Sequence, residues 1–462
     1  MSTLSPIFQT DSCKFSHYKQ YPPGTAYISS YIEPRGGGDV TFFGLQAFLK
    51  KLPRVTYDDI ALAHNIATQH GVPFNSGGWT RIVEKWGGYL PLEIQAVPEG
   101  MTMPHGMPQV QVRNTDPLLP WLTSYFETAL LRAVWYPSTV ASISRRAKIV
   151  IGDYLAKTGD LSGLPFKLHD FGARGVSSGE SAALGGLAHL VNFSGTDTVE
   201  ALLLARDAYT CPMAGYSIPA AEHSTITSWG AKGEVAAYRN MLTAFDGFPL
   251  VAVVSDSYDI FKAVGEIWGG TLKEDVVALG EKGRTLVIRP DSGDPLSTLL
   301  SIFSILEEKF PVTVNEKGYK VLPAYLRVIQ GDGVNLKSIG DILQVLTERG
   351  WSADNIAFGM GGALLQKLDR DTFKYAMKAN ERQSVDGTIH PVFKSPVGDG
   401  GKASKAYRQA VVKQGGVYYS IPESKLGPNE NLLKPVWKNG ELLVDWSLEE
   451  VRENAATSAT EE

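Results

Sequence analysis

Residues 285–294 read TLVIRPDSGD. Five β-prone residues run straight into a proline, two aspartates, a serine and a glycine. The stretch that follows, PLSTLLSIFSILEE (295–308), is apolar at helical spacing. Strand, polar turn and helix in that order make the repeating unit of a parallel sheet, whose neighbouring strands need a long crossover between them. The same unit recurs on both sides, with LVAVVSDSYD (250–259) before it and LRVIQGDG (326–333) and NIAFGMGG (355–362) after it. In all, eight β-prone segments stand out: Phe166–Asp170, Ala188–Phe193, Met213–Pro219, Leu250–Ser255, Thr285–Pro290, Leu326–Gly331, Asn355–Gly359 and Phe373–Lys378. Helical stretches lie among them at Ser178–Leu187, Ala220–Val235, Ile260–Trp268, Pro295–Glu308 and Leu336–Gly350. The pattern predicts an irregular (β/α)8-type barrel over residues 161–380, with its active site at the carboxyl ends of the strands. An open doubly wound sheet would give the same alternation.

The flanks read differently. Residues 1–160 mix a strand, Ala26–Ile32, with helical stretches at Leu118–Tyr136 and Ser138–Leu155. Over 381–450 the strands have no helices between them. Ala410–Tyr419 reads as a hairpin, and Leu432–Val444 as another pair turning through Asn439-Gly440. Such strands are expected to pack with the N-terminal region as an α+β lobe. Gly398–Gly401 reads as a flexible turn and 451–462 as a frayed tail.

Composition narrows the class. The chain has 462 residues, 43% of them apolar and 20% charged, which suits a folded globular enzyme. Its 44 basic and 49 acidic residues leave a net charge of −5, so no global positive field draws in nucleic acid or an anionic membrane. The N-terminal MSTLSPIFQTDSCK lacks the basic and long apolar regions of a secretory signal, and two cysteines make no disulfide framework. A cytoplasmic protein is expected.

The predicted strand ends gather polar residues: HDFGARG (169–175), NFSGTD (192–197), PAAEHS (219–224), SDSYD (255–259), RPDSGD (289–294), QGDG (330–333) and FGMGG (358–362). On a barrel, Asp170, Asp197, Asp256, Asp291 and Asp332 would crowd one rim beside His223, Arg174 and Arg289. Carboxylates that close repel one another, so arginines, a metal ion or both must offset them. Carboxylates for ribose hydroxyls, with arginine forks and glycine N–H groups for phosphate, suit a phosphorylated sugar. Each aspartate alone reads equally well as a helix cap. His223, beside Glu222 at the start of a helix, is placed to shuttle a proton or accept a phosphoryl group. His169 and Asp170 are adjacent on a strand and point to opposite faces, which argues against a dyad. Arg35, Arg370, Lys378, Lys402 and Lys405 are further cations for a polyanion clamp, or solvated surface charges.

Long segments of the chain resemble the nicotinamide phosphoribosyltransferases of the type II phosphoribosyltransferase superfamily. They include DSCKFSHYKQYPPGT (11–25), KLHDFGARGVSS (167–178), HLVNFSGTDTV (189–199), GYSIPAAEHSTITSWG (215–230), IRPDSGDP (288–295), LRVIQGDGV (326–334) and NIAFGMGGALLQKLDRD (355–371). The resemblance implies a homodimer of barrel-plus-lobe subunits with shared active sites. It implies transfer of 5-phosphoribose from 5-phosphoribosyl 1-pyrophosphate (PRPP) to nicotinamide, assisted by Mg2+, with ATP as an optional co-substrate. Nicotinate phosphoribosyltransferase and a non-catalytic phosphoribosyl-metabolite sensor are the alternatives.

Carried over by position, Phe171 stacks on the pyridine ring, Asp197 faces the carboxamide and Arg289 holds the other side of the base. Asp291, Gly331 and Asp332 belong to the ribose edge. Arg174, Arg327, Gly361, Gly362, Arg370 and Lys378 match phosphate-binding positions, and Arg35 matches one reaching pyrophosphate from the neighbouring subunit. His223 matches a histidine phosphorylated by ATP, supported by Asp256. Asp11 matches the aspartate of an N-terminal motif whose stacking tyrosine is replaced here by Cys13. Half of an aromatic sandwich is then missing unless Phe15 or Tyr18 supplies it. Met360 stands where the family has a small serine, and is expected to narrow the phosphate loop.

Overall fold

A computed structural model describes residues 4–397 and 403–457, which divide into two compact units. One comprises Ile143–Leu203 and Met213–Lys367; the other comprises the described residues up to Ser142, Leu204–Pro212 and those from Leu368 onward.

The first of these units is built on a six-stranded parallel sheet. Its spatial order is Gly195–Thr196, Leu168–Asp170, Ile356–Met360, Leu326–Gln330, Thr285–Arg289 and Leu250–Val254. Strand centres such as Val251, Val253, Leu286, Ile288 and Val328 are buried, as expected where helices cover a parallel sheet. The helices are well specified. Pro295–Lys309 starts with proline in its first turn and Asp294 accepting from Ser297 N, and it buries Leu299, Ile302, Phe303 and Leu306 along one stripe. Leu336–Glu348 is boxed by Asn335 and Ser338 and buries Ile339, Ile342, Leu343 and Leu346. The sheet curls without closing fully. Its two edges reach toward each other through residues 216–221, where Tyr216 bridges to Gly195 and Ala220 to Ala252. This is the irregular barrel expected from the alternation.

Three of the eight expected strands fall elsewhere. Ala188–Phe193 is the end of the helix Gly179–His189 and its turn, and the strand is the two-residue Gly195–Thr196 beyond it. A short apolar run reads alike as buried strand or buried helix. Met213–Pro219 makes only the bridging contacts above, because Pro219 has no N–H to give a ladder. Phe373–Lys378 holds the start of a strand, Ala376–Ser384, but that strand pairs antiparallel with Thr25–Glu33 in the other unit. Between Ile356–Met360 and this strand the α-helix is only the four-residue Gly362–Leu365, so no full crossover helix returns the chain to the parallel sheet. The helix expected over Ala220–Val235 is two, His223–Thr227 and Glu234–Ala244, parted where Gly230 takes φ +70°. Ile260–Trp268 begins as α-helix and continues as a π-helix over Ala263–Thr271.

The second unit centres on a seven-stranded sheet in which Thr25–Glu33, Val110–Asn114 and Leu92–Ala96 from the N-terminal region lie side by side, flanked by Ala376–Ser384 and Ile389–Pro391 on one side and by Lys434–Lys438 and Glu441–Leu442 on the other. N- and C-terminal regions thus build one α+β lobe. Trp79, Trp121 and Tyr125 pack edge to face in its core. Residues 448–457 form a helix burying Leu448, Val451 and Ala455, where a frayed tail was expected from 451. Residues 458–462 and the turn expected at Gly398–Gly401, with Lys402, lie outside the described residues.

Candidate active site

The carboxyl ends of the parallel strands bring together a group of side chains within one unit. Leu250–Val254 ends in Ser255-Asp256, and Thr285–Arg289 ends in Arg289 itself, with Asp291 and Ser292 just beyond. His223 opens the short helix after the bridging segment. Its Nε2 lies 2.9 Å from Asp256 Oδ1, and its Nδ1 lies 3.9 Å from Asp291 Oδ2. Asp256 is nearly buried and its other oxygen accepts from Ser292 Oγ, whereas the imidazole is half exposed. This network assigns the proton to Nε2 and leaves Nδ1 as the nitrogen with a free lone pair. Arg289 donates to Asp291 Oδ2 at 3.2 Å. Its Nε is buried with no partner among the described residues, an unmet donor of the kind that a ligand oxygen satisfies.

Phe171 follows the strand Leu168–Asp170 and lies under this group. The Arg289 guanidinium is 5.9 Å from its ring centroid, and the His169 ring is 5.1 Å away at 56°. A Cβ on Gly359 would sit 2.0 Å from the Phe171 ring, and one on Gly331 would sit 3.3 Å from Asp291 Oδ1. Glycine at both positions clears the floor on which Phe171 lies. Asp197, just past Gly195–Thr196, accepts from His169 Nε2 at 2.8 Å and from Ser217 Oγ at 2.6 Å. Burial alone pushes its carboxyl up, but the hydrogen bond and charge of His169, with Ser217 and Arg289, outweigh burial and hold Asp197 below its ordinary value. Its side chain is thus engaged across the rim, beyond any part in capping the next helix. Arg174 pairs with Glu222 at 2.6 Å, both largely exposed. Asp332 and Gly362 also lie at strand ends, Asp332 exposed to solvent.

Several expected residues are placed elsewhere. Asp170 does not join the rim. It is fully buried and accepts from Gly172 N, Thr196 Oγ1 and Thr198 Oγ1, a structural clamp on the turn that carries Phe171. Arg327 lies near the start of its strand, with its guanidinium on the carbonyls of Leu322, Pro323 and Leu326, so it sits at the opposite end from the rim. Met360 is buried and only its carbonyl meets the site, accepting from Phe171 N; it narrows no loop. Phe15 is buried in the core of the other unit against Phe74 and Tyr125, so it cannot replace the missing stacking residue, while Cys13 is exposed.

Asp11, Arg35, Arg370 and Lys378 belong to that other unit. Asp11 accepts from Thr128 Oγ1. Burial lowers the pKa of Lys378; Glu127 raises it, and Arg35, Lys394 and Arg370 lower it further, so these cations share one field. Arg35 is 4.0 Å from Glu33, which also pairs with Lys405. A cavity of ≈ 280 Å³ in the same unit is lined by Lys14, His17, Tyr21, Ser124 and Glu127, but these polar groups already bond one another.

His169 is the site residue that sequence reasoning passed over. The signal was available: 169 and 171 lie two apart along one extended segment, so a site that contains Phe171 takes in His169 as well.

The curled sheet is shared with solved enzymes of pyridine-nucleotide metabolism. Nicotinate-nucleotide pyrophosphorylase from Pyrococcus furiosus superposes with a TM-score of 0.65 at 17% identity, covering 99% of this chain and 96% of that one. Human nicotinic acid phosphoribosyltransferase gives 0.56 at 17% identity, covering 98% and 93%. The chain therefore shares its fold with these two enzymes. Sequence narrows this to the nicotinate/nicotinamide phosphoribosyltransferase family, to which the chain belongs. The profile of the nicotinate phosphoribosyltransferase (NAPRTase) family matches residues 166–434, and that of the nicotinamide phosphoribosyltransferase N-terminal domain matches residues 5–94. The chain is 52% identical to a nicotinamide phosphoribosyltransferase of Xanthomonas campestris pv. campestris over 97% of both chains, and 32% identical to one of Acinetobacter baylyi over 98% and 97%. It is an enzyme of pentosyl transfer.

Proposed function

We propose that the protein transfers 5-phosphoribose from PRPP to nicotinamide, giving nicotinamide mononucleotide and pyrophosphate for NAD salvage. The observation that carries this reading is Asp197, held by His169 and Ser217, in one group with Phe171 and the Arg289 guanidinium above that ring. A flat ring stacks on Phe171, its amide NH2 donates to Asp197, and its carbonyl accepts from Arg289. The bond from ribose C1 to pyrophosphate loosens and the pyridine nitrogen attacks C1 with its own lone pair, so no general base is needed. The protein contributes placement and charge. Asp291, Gly331 and Asp332 bind the ribose edge, while Arg174, Gly361 and Gly362 take phosphate.

Among the described residues no three His, Cys, Asp or Glu side chains form a metal cage. That suits Mg2+, which keeps several waters and sits on substrate phosphates with one or two protein carboxylates. Asp332, whose carboxylate has no partner among the described residues, and Asp291 fit that need. When bound, the ion offsets the charge of the departing pyrophosphate.

His223 Nδ1 attacks the γ-phosphorus of ATP, ADP leaves, and water later releases phosphate, which couples synthesis to hydrolysis. Two copies of the chain share their active sites, with Arg35 reaching pyrophosphate across the pair, while Arg370 and Lys378 serve as further phosphate-binding cations and Asp11 as a substrate-binding residue. Among the described residues no helix is long and apolar enough to cross a membrane, and we place the reaction in the cytoplasm. The test is incubation of purified protein with Mg2+, PRPP and nicotinamide, with and without ATP. No nicotinamide mononucleotide under either condition refutes the reading. Faster turnover with nicotinate moves it to the sister reaction.

A further inference from the structure

Asp197 does not take up its orientation unaided. Both of its donors, His169 Nε2 and Ser217 Oγ, meet the same oxygen, Oδ1. Among the described residues Oδ2 accepts from none, and the side chain is 46% exposed, so this oxygen is left to accept from a ligand. A carboxylate on its own is a broad two-fold rotor. Two donors on one oxygen stop the rotation and leave the other oxygen in a fixed place.

His169 is itself wedged. Its side chain is only 15% exposed. A Cβ on Gly195 would lie 2.6 Å from its Nδ1, so the ring fits only because residue 195 has no side chain. The ring also meets Phe171, the surface on which the base is proposed to stack. One imidazole therefore braces both the ring that holds any pyridine base and the carboxylate that tells one base from another.

We propose that His169 is a positioning residue for base selection, holding Asp197 with Oδ2 presented to the amide of nicotinamide. The inference rests on the reading of nicotinamide as substrate. It predicts an effect on discrimination rather than on chemistry, because His169 touches neither ribose C1 nor pyrophosphate in that reading. The hydrogen bond is made to a charged group, so its loss lowers kcat/KM for nicotinamide about tenfold or more. The loss enters through KM, with kcat little changed, and nicotinate loses less.

Two polar substitutions differing by one methylene make the test. His169→Gln keeps an amide N–H near the reach of Nε2, whereas His169→Asn falls short of Asp197. Steady-state kinetics with both bases at saturating PRPP, alongside thermal melting, should give a nicotinamide-to-nicotinate ratio near wild type for the glutamine variant. The asparagine variant should give a ratio about tenfold lower, with similar melting temperatures. His169→Phe, which keeps the ring contact with Phe171 and has no donor, should follow asparagine. If wild type is active and all three variants keep its ratio, or lose both bases equally, the inference is overturned while the reaction stands. If glutamine fares no better than asparagine, the hydrogen bond is not what matters and the inference is likewise overturned. Wild-type enzyme that makes no nicotinamide mononucleotide overturns the functional reading itself, a result that the variants do not mimic.

Discussion

Replacing Asp197 by asparagine separates charge from shape at the point where the base is proposed to be read. The side chain keeps its size and one carbonyl oxygen, and that oxygen can still accept from His169 and Ser217, which lie at 2.8 and 2.6 Å. The fold should survive. The negative charge disappears, and with it the repulsion of nicotinate. Two unit charges ~4 Å apart interact by about 1 kcal/mol in water and about 4 kcal/mol near a protein surface. With 46% of the side chain exposed and Arg289 close by, the lower half of that range applies. A repulsion of about 1–2.5 kcal/mol corresponds to a selectivity of roughly five- to seventyfold. The assay is kcat/KM for nicotinamide and nicotinate at saturating PRPP, in wild type and variant. The ratio should fall by that factor, with nicotinate gaining and nicotinamide losing part of its binding. A ratio that does not move, with both bases still turned over, would refute the assignment of Asp197 as the discriminating charge.

Three further outcomes are expected. Asp256→Asn can present an N–H to His223 Nε2 and so drive the proton to Nδ1; loss of a bond to a charged partner, ~1.5–3 kcal/mol, should cut ATP hydrolysis about ten- to a hundredfold and leave ATP-independent synthesis in place, as phosphate release and product formation will report. Cys13→Tyr places an aromatic ring at an exposed position, and if two copies share the site it should lower KM for nicotinamide two- to tenfold, the worth of one ring stack; an unchanged KM argues against sharing through this segment. Burial lowers the pKa of His189 from 6.5 to about 4, so between these values the unfolded chain takes up a proton that the folded one refuses. Its contribution to stability is therefore complete above about pH 6.5 and is lost as pH falls toward 4; urea midpoints across that range should fall less steeply in His189→Asn.

Much of this was legible because strand, polar turn and helix alternate with a period that only a parallel sheet uses. Pro295–Lys309 announces itself through Asp294, a proline and an apolar stripe, and it starts where those signals put it. His223, Asp256, Arg289 and Asp291 were read together because each falls at or just after a predicted strand end, and they meet. Reading failed where one feature serves two purposes. The run AHLVNF ends a buried helix, since apolar continuity carries no period. Arg327 lies on a strand whose far end carries Gly331 and Asp332, yet an arginine at the start of a strand reaches the carbonyls beneath it.

Asp170 and His169 show the limit most sharply. They are neighbours, both polar and both at a strand end, and the alternation of side chains sends one to the helices and the other to the site. The parity was known from sequence, and Phe171 marked the inner face; which side chains that face has room for was not. That choice is made by what is missing elsewhere. Gly359 leaves room for Phe171, Gly195 leaves room for the His169 imidazole, and Gly331 leaves room beside Asp291. None of these three glycines takes a left-handed conformation, so none is there to make a turn. Each is required because a Cβ would meet another residue of the site. A glycine that clears space for a distant side chain looks in sequence like one that turns the chain, and only the third dimension tells them apart. Gly359→Ala should accordingly harm base binding more than folding if Phe171 can swing aside. It should harm folding as well if Phe171 is held by the Asp170 clamp beneath it. Melting temperature and KM for nicotinamide, measured on that one variant, decide between the two.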